Sequence, residues 1–156
     1  MLGVINADAN WWSLNAPYVV SAGQVTINEG MTVTISPGVV VKLSKQIIRV
    51  DGTLIADGTA DQPIVFTSLN DDSFGGDTNG DGGATTPVRG DWHRLFFNSM
   101  SINNVLNHVM IRYGGRATVE SLDVRTSSLT LSNSTVEESY DDGIYVAPGV
   151  SPTITG

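Results

Sequence analysis

Short runs of alternating apolar residues, broken by glycine-rich turns, recur along almost the whole chain. Apolar side chains occupy every second position in these runs, as in Val25 and Ile27 or Leu54 and Ala56. The outline of one such run returns about 20 to 22 residues later, and TLSN is echoed by TITG after some 23 residues. A repeat of this period is the sequence signature of a solenoid.

The alternation favours β-strands, since successive side chains of a strand point to opposite faces. The 17 glycines and six prolines of this 156-residue chain support short strands and tight turns over helices. Three short parallel strands and their turns need about 20 to 25 residues per coil, whereas a hairpin meander requires no such repeat. We therefore predict an all-β parallel β-helix of about five or six coils in a single domain.

Charge and composition exclude several functions. The chain carries 16 acidic and 8 basic residues, a formal charge of −8, which repels nucleic acid phosphates. It contains no cysteine and no apolar run approaching the roughly 18 residues of a membrane span. We expect no nucleic acid partner and no membrane span.

An acidic, glycine-rich stretch carries the clearest chemical signal. Asp77, Asn79 and Asp81 alternate and are followed by a glycine, the D-x-[DN]-x-[DN]-G pattern that supplies calcium with oxygen ligands. Val88 stands where a helical calcium loop would need glutamate, so the pattern predicts a Ca²⁺ site that is not an EF-hand. Asp71, Asp72 or Asp91 could supply the missing carboxylate by folding back. A solvated acidic turn is the alternative.

The same stretch interrupts the strand pattern. Between Phe66 and Trp92 roughly two dozen residues lack alternation, and we assign 70–91 to an excursion from the solenoid. Ordering so long a loop has an entropic cost, and one divalent ion would offset it by neutralising crowded carboxylates. Trp92 is expected to anchor the return of the loop.

Several motifs together resemble a known family. NWWSLNAPYVVSAGQVTINEGMTVTISPGVVVKL, DGTLIADGTADQPIVFTS, GDW and IRYGG resemble the right-handed parallel β-helix proteins of bacterial secreted and surface proteins, in the pectin-lyase-like superfamily. The resemblance implies a right-handed β-helix, with 1–17 as an N-terminal capping segment and the chain as the N-terminal portion of a longer protein. It indicates function weakly, because such helices carry enzymes, adhesins and passive stalks.

A second acidic cluster is the best catalytic candidate. It comprises Glu137, Glu138, Asp141 and Asp142. Two carboxylates a few ångströms apart can serve as acid and base in glycoside cleavage. The aspartates precede a glycine, however, and such a pair is also an ordinary turn into the next strand.

Lyase chemistry beside a calcium ion would require a basic side chain as the proton acceptor. Arg112, Arg116 and Arg125 are available for that role, although no lyase motif surrounds them. The only histidines are His93 and His108, so the sequence contains no evident catalytic triad or histidine metal centre.

Aromatic residues form a third group of candidates, because an aromatic face packs well against the apolar face of a sugar. Tyr140 and Tyr145 are the more plausible sugar contacts. Trp11 or Trp12 is expected instead to plug the first coil of the solenoid.

We therefore expect a non-catalytic, calcium-stabilised scaffold or adhesion module, extracellular or on a bacterial cell surface. Its exterior would contact glycans or surface proteins, and its uncapped C-terminal coil would favour homo-oligomers or end-to-end stacking. The alternative is a fragment of a polysaccharide lyase or glycoside hydrolase that acts on acidic polysaccharide.

Overall fold

The computed structural model describes residues 3–156 and contains strands and turns only, with no helix in that range. Three parallel sheets wind into a β-helix of about six coils. This confirms the predicted all-β parallel solenoid.

The strands are three to five residues long, as the spacing of the glycine turns predicts. The first three coils contain β1 (Gly3–Ile5), β2 (Ala9–Trp11), β3 (Tyr18–Val20), β4 (Val25–Ile27), β5 (Thr32–Ile35), β6 (Val40–Leu43), β7 (Ile48–Val50), β8 (Thr53–Asp57) and β9 (Ile64–Ser68). The remaining coils contain β10 (Leu95–Phe97), β11 (Asn104–Asn107), β12 (Val109–Arg112), β13 (Leu122–Val124), β14 (Leu129–Ser132), β15 (Thr135–Glu137), β16 (Ile144–Val146) and β17 (Thr153–Thr155).

Each strand pairs in parallel with the strand three places further along the chain, so three strands complete one coil. Sheet A has the order β1-β4-β7-β10-β13-β16, and sheet B consists of β2-β5-β8-β11-β14-β17. Sheet C contains five strands, β3-β6-β9-β12-β15. Residues 1–17, assigned from the sequence to a capping segment, thus include the first two strands of the first coil.

The core is a set of vertical columns of apolar side chains. In sheet C, Val41 pairs with Phe66, Phe66 with Ile111, and Ile111 with Val136. The first three of these side chains are at most 1% exposed. Because every coil places its alternate residues over those of the coil before, the repeat in sequence becomes continuous apolar stacking in space.

Close turns hold the coils in register. Gly52 lies between β7 and β8, where an added Cβ would stand 2.2 Å from the Asn28 carbonyl oxygen and 2.3 Å from that of Met31. Both atoms belong to the backbone of the preceding coil. Only glycine permits this approach, which explains the Asp-Gly pair at this turn.

The long excursion occupies residues 69–94, between β9 and β10, at the corner where sheet C leads into sheet A. It folds back over the outer face of sheet C instead of extending into solvent. Lys42, Val65 and Thr67 point outward from that sheet, yet each is at most 1% exposed. The loop therefore gives sheet C a second covering layer.

Within residues 3–156, the structure has no helix with the length and hydrophobicity needed to cross a bilayer.

Candidate metal site

The loop brings three carboxylates together. Asp72, Asp77 and Asp81 each offer an oxygen, and these oxygens lie within 4.8 Å of one another. Oxygen ligands at this separation suit a hard divalent cation such as calcium. Two of the three residues belong to the alternating motif, and the third comes from the start of the loop.

Backbone amides fix the orientation of Asp77. Its Oδ1 accepts hydrogen bonds from the amides of Gly80 at 2.8 Å and Asp81 at 3.1 Å, and its Oδ2 accepts one from Gly82 at 2.8 Å. Gly80 and Gly82 have φ angles of 75° and 67°, in the region that glycine enters without strain. The glycines of the motif therefore wrap the chain around the carboxylate.

Asp81 is held in a similar way by the next turn. The hydroxyl of Thr85 lowers the pKa of the Asp81 carboxyl most, and the amides of Ala84, Gly83 and Thr85 lower it further. These donors stabilise the charged form of the carboxylate. Asp81 is thus kept anionic, which is the form that binds a cation.

Asp72 differs from its two neighbours because one of its carboxylate oxygens has no hydrogen-bond donor. Its Oδ1 is buried and accepts no hydrogen bond from any described residue. A buried carboxylate oxygen without a donor is costly. The side chain lies beside two other carboxylates, so a bound cation would supply the missing interaction.

The other predicted ligands have separate roles in the loop. Asp71 accepts hydrogen bonds from Thr67 and Arg112, the latter at 3.1 Å, and is 2% exposed. Asp91 accepts from the Ser68 hydroxyl and from the Val88 amide at 3.1 Å. These two aspartates fasten the beginning and the end of the loop to sheet C.

Asn79 lies beside the cluster. Its amide nitrogen donates to Asp81 Oδ2 and to the Thr85 hydroxyl, both at 3.0 Å, while its Oδ1 accepts from the Asp81 amide at 3.3 Å. In this arrangement Asn79 supports the position of Asp81.

Lys42 holds the loop that carries the acidic triad, a role that the sequence analysis did not identify. The side chain is fully buried, and its Nζ donates to the Gly76 carbonyl oxygen at 2.5 Å. Burial lowers the pKa of Lys42, against the opposing influence of Asp72, Asp71 and Asp77. The available signal was a single lysine within the otherwise apolar run VVVKL.

Arg112, on β12, also ties the loop to sheet C. Its guanidinium pairs with Asp71 at 3.1 Å and with Glu137 at 2.6 Å, and lies 5.2 Å from the centre of the Phe74 ring. Trp92 closes the loop, since it is fully buried and its indole donates to the Arg112 carbonyl oxygen at 2.7 Å.

The second acidic cluster begins at the last residue of β15 and continues into the turn that follows. Glu137 pairs with Arg112, and Glu138 pairs with Arg89 at 2.9 Å. Asp141 and Asp142 are exposed in the turn that follows. Two of the four carboxylates are therefore engaged by separate arginines.

The three arginines considered as proton acceptors lie in different surroundings. Arg112 is held by two carboxylates, whereas Arg116 donates to the Gly90 carbonyl oxygen at 3.4 Å. Arg125 directly follows β13 of sheet A, where its hydrogen bond to Asp123 raises its pKa. A raised pKa keeps a guanidinium protonated, which opposes a role as a base.

The aromatic candidates are also dispersed. Tyr140 is 59% exposed in the turn beside Gly90, while Tyr145 is 38% exposed on the outer face of β16 near Arg125. Trp11 is 2% exposed in the first coil and stacks on Tyr18 with the ring centres 5.2 Å apart. Trp12, by contrast, is 61% exposed.

Comparison of the chain with protein-family models, with curated proteins and with solved structures gave no match.

Proposed function

We propose that the protein is a non-catalytic β-helix scaffold or adhesion module of the extracellular space or cell surface, stabilised by calcium in its long loop. The main support is the approach of Asp72, Asp77 and Asp81 to within 4.8 Å, with a buried oxygen of Asp72 lacking any donor. Three carboxylates so close repel one another, and a bound divalent cation would offset that repulsion.

The loop acts as a brace across the coils. Gly75 contacts Pro17 next to the first strand of sheet C, Lys42 holds Gly76 from the second, and Arg112 holds Asp71 from the fourth. A cation that orders this loop would therefore stiffen most of one face of the solenoid. Rigid coils keep exterior side chains at fixed spacing, which suits contact with an extended partner.

Calcium is the proposed ion because the cluster offers only hard oxygen ligands. A calcium loop of modest affinity is filled only where calcium is abundant, which supports an extracellular location. The engagement of Glu137 and Glu138 by separate arginines supports a scaffold over a glycosidase.

Isothermal titration calorimetry and thermal melting test the calcium site. We expect one Ca²⁺ per chain and a melting temperature that rises with calcium and falls with excess chelator. At a hundredfold excess of ligand over its Kd, binding stabilises the folded state by about 2.7 kcal/mol. If calorimetry detects no heat of calcium binding and the melting curves in calcium and in chelator are identical, the proposal is refuted.

Self-association through the last coil is part of the same proposal. Ile144 and Ile154 are 37% and 48% exposed there, and with Leu131 and Val136 they line a cavity of about 360 Å³. Exposed apolar side chains beside unpaired strand edges favour pairing with another chain. Light scattering should show a mass that increases with concentration, and a constant monomer mass would count against stacking.

A further inference from the structure

A second cavity lies beside β3 and β6, the first two strands of sheet C. It has a volume of about 210 Å³ and opens between the segment that follows β2, the turn before β6 and the long loop. Residues that line it include Trp12, Leu14, Pro17, Tyr18, Val40 and Gly75. None of the residues lining this cavity is charged, although the chain as a whole has a formal charge of −8.

Two large apolar side chains at this cavity are held in solvent. Trp12 is 61% exposed and Leu14 is 62% exposed, whereas Trp11 and Trp92 are both buried. The side chain of Trp12 is therefore not part of the hydrophobic core. Neighbouring exposed apolar residues of this size are characteristic of binding surfaces.

Polar side chains also lie at the cavity. Asn15 lines the cavity, and Ser13 and Gln62 lie at its edge, where a Cβ on Gly38 would be 3.6 Å and 3.7 Å from their side chains. All three residues are exposed. The cavity thus combines an aromatic face with hydroxyl and amide groups.

We propose that this cavity binds one pyranose ring of a neutral glycan, stacked against Trp12. The C–H face of a sugar packs on an aromatic ring, and its hydroxyls suit amide and hydroxyl partners. The absence of charge in the lining favours an uncharged ligand. The volume is below the roughly 300 Å³ at which sites for larger ligands begin, so the cavity accommodates one ring of a longer chain.

The long loop forms one wall of this site. Gly75 packs so closely that an added Cβ would stand 2.3 Å from Pro17 Cγ. The position of the loop therefore sets the shape of the cavity. The expectation that calcium strengthens glycan binding rests on the proposed calcium site, whereas the stacking on Trp12 does not.

Tryptophan fluorescence tests the stacking directly, because Trp12 is the exposed one of the three tryptophans. Calcium-loaded protein is titrated with cellohexaose, mannohexaose and maltohexaose, and with hexagalacturonate as the charged probe. We expect saturable binding of at least one neutral oligosaccharide and at least a tenfold weaker response to hexagalacturonate. Trp12→Ala should reduce affinity by about tenfold or more, and Met100→Ala, which removes another exposed apolar side chain, should not.

Calorimetry provides the readout for the Trp12→Ala protein, whose calcium-dependent melting should be unchanged. Absence of binding to all three neutral probes, or equal affinities of the wild-type and Trp12→Ala proteins, overturns the proposal. Tighter binding of hexagalacturonate overturns the neutral class of ligand.

A matched pair of glycine variants tests whether the long loop forms one wall of the cavity. Gly75 and Gly76 have φ angles of 70° and 71°, so alanine is strained equally at both, but a Cβ on Gly76 meets no atom within 4 Å. Gly75→Ala should weaken glycan binding at least threefold more than Gly76→Ala. Equal affinities would exclude the loop as a wall. If chelation lowers the melting temperature but leaves glycan affinity unchanged, the link between the two sites fails while the calcium site stands.

Discussion

Lys42 Nζ lies 2.5 Å from the carbonyl oxygen of Gly76 and joins the second strand of sheet C to the long loop. The lysine is fully buried, so this contact holds a charged group away from water. Burial lowers the pKa of Lys42, while Asp72, Asp71 and Asp77 oppose that shift. Hydrogen bonds of charged groups are stronger than neutral ones. The contact makes the loop part of the folded unit.

Replacement of Lys42 by methionine should loosen the loop. The change leaves the Gly76 oxygen without its donor and removes a cation that interacts with Asp72 and Asp77. We expect the free energy of unfolding to fall by about 1–3 kcal/mol in urea titrations. Lys45→Met, an identical change at an exposed position, should have little effect. Equal stability of the two variants would show that the buried contact contributes nothing.

Asp72→Asn should abolish most of the stabilisation by calcium. Asp72 accepts no hydrogen bond on its buried Oδ1, so the change breaks no hydrogen bond there, but it removes one of the three charges of the proposed calcium site. Melting temperatures with calcium and with chelator should differ much less in this variant than in the wild-type protein. Asp142→Asn, at an exposed position outside the triad, should retain the full difference.

His93 should make stability depend on pH. Burial lowers its pKa from 6.5, and the neighbouring Arg116 and Arg94 lower it further. Between pH 6.5, the pKa of His93 in the unfolded chain, and its lower pKa in the folded protein, the unfolded chain binds a proton that the folded protein does not. Stability is therefore highest above 6.5, decreases as the pH falls through this window, and then levels off.

The expected loss for His93 is at most about 1 kcal/mol, because the side chain is partly solvated. Urea unfolding between about pH 5 and pH 8 measures it. His93→Gln should flatten the profile. His108→Asn should preserve it, since asparagine tolerates the φ of 48° at that position. Parallel profiles of the wild-type and His93→Gln proteins would exclude this source of pH dependence.

Gly52→Ala should be among the most destabilising single substitutions. Its Cβ would lie 2.2 Å from the Asn28 oxygen, and the backbone of the preceding coil must move to accept it. We expect a loss above about 3 kcal/mol in chemical unfolding. Gly143→Ala is the control, because its Cβ would approach Val136 no closer than 3.4 Å. Similar stabilities of the two variants would contradict the tight stacking of turns.

The sequence analysis and the structure agree best where the pattern is local and repeated. The alternation in the run from Thr32 to Ile35 returns in the run from Thr53 to Asp57, and the two strands pair in register. A strand's alternation identifies its buried face, and the repeat length sets which strands overlie one another. Both properties can be read without coordinates.

The loop shows the limit of this approach. The spacing of Asp77 and Asp81 indicated carboxylates for a cation, but nothing in the spacing separates Asp72, which joins them, from Asp71, which pairs with Arg112 some 41 residues away. Adjacent residues in an irregular loop point in directions set by its contacts. Those contacts come from distant coils.

The sequence by itself therefore determined the solenoid, its period and the acidic character of its one long loop, because these follow from composition and repetition along the chain. Only the tertiary structure decided that Lys42 is buried beneath that loop, which aspartates meet, and that Trp12 lies exposed beside Gly75. Such choices depend on how an irregular segment packs across several coils. That packing is a property of the assembled surface and is not encoded in any single repeat.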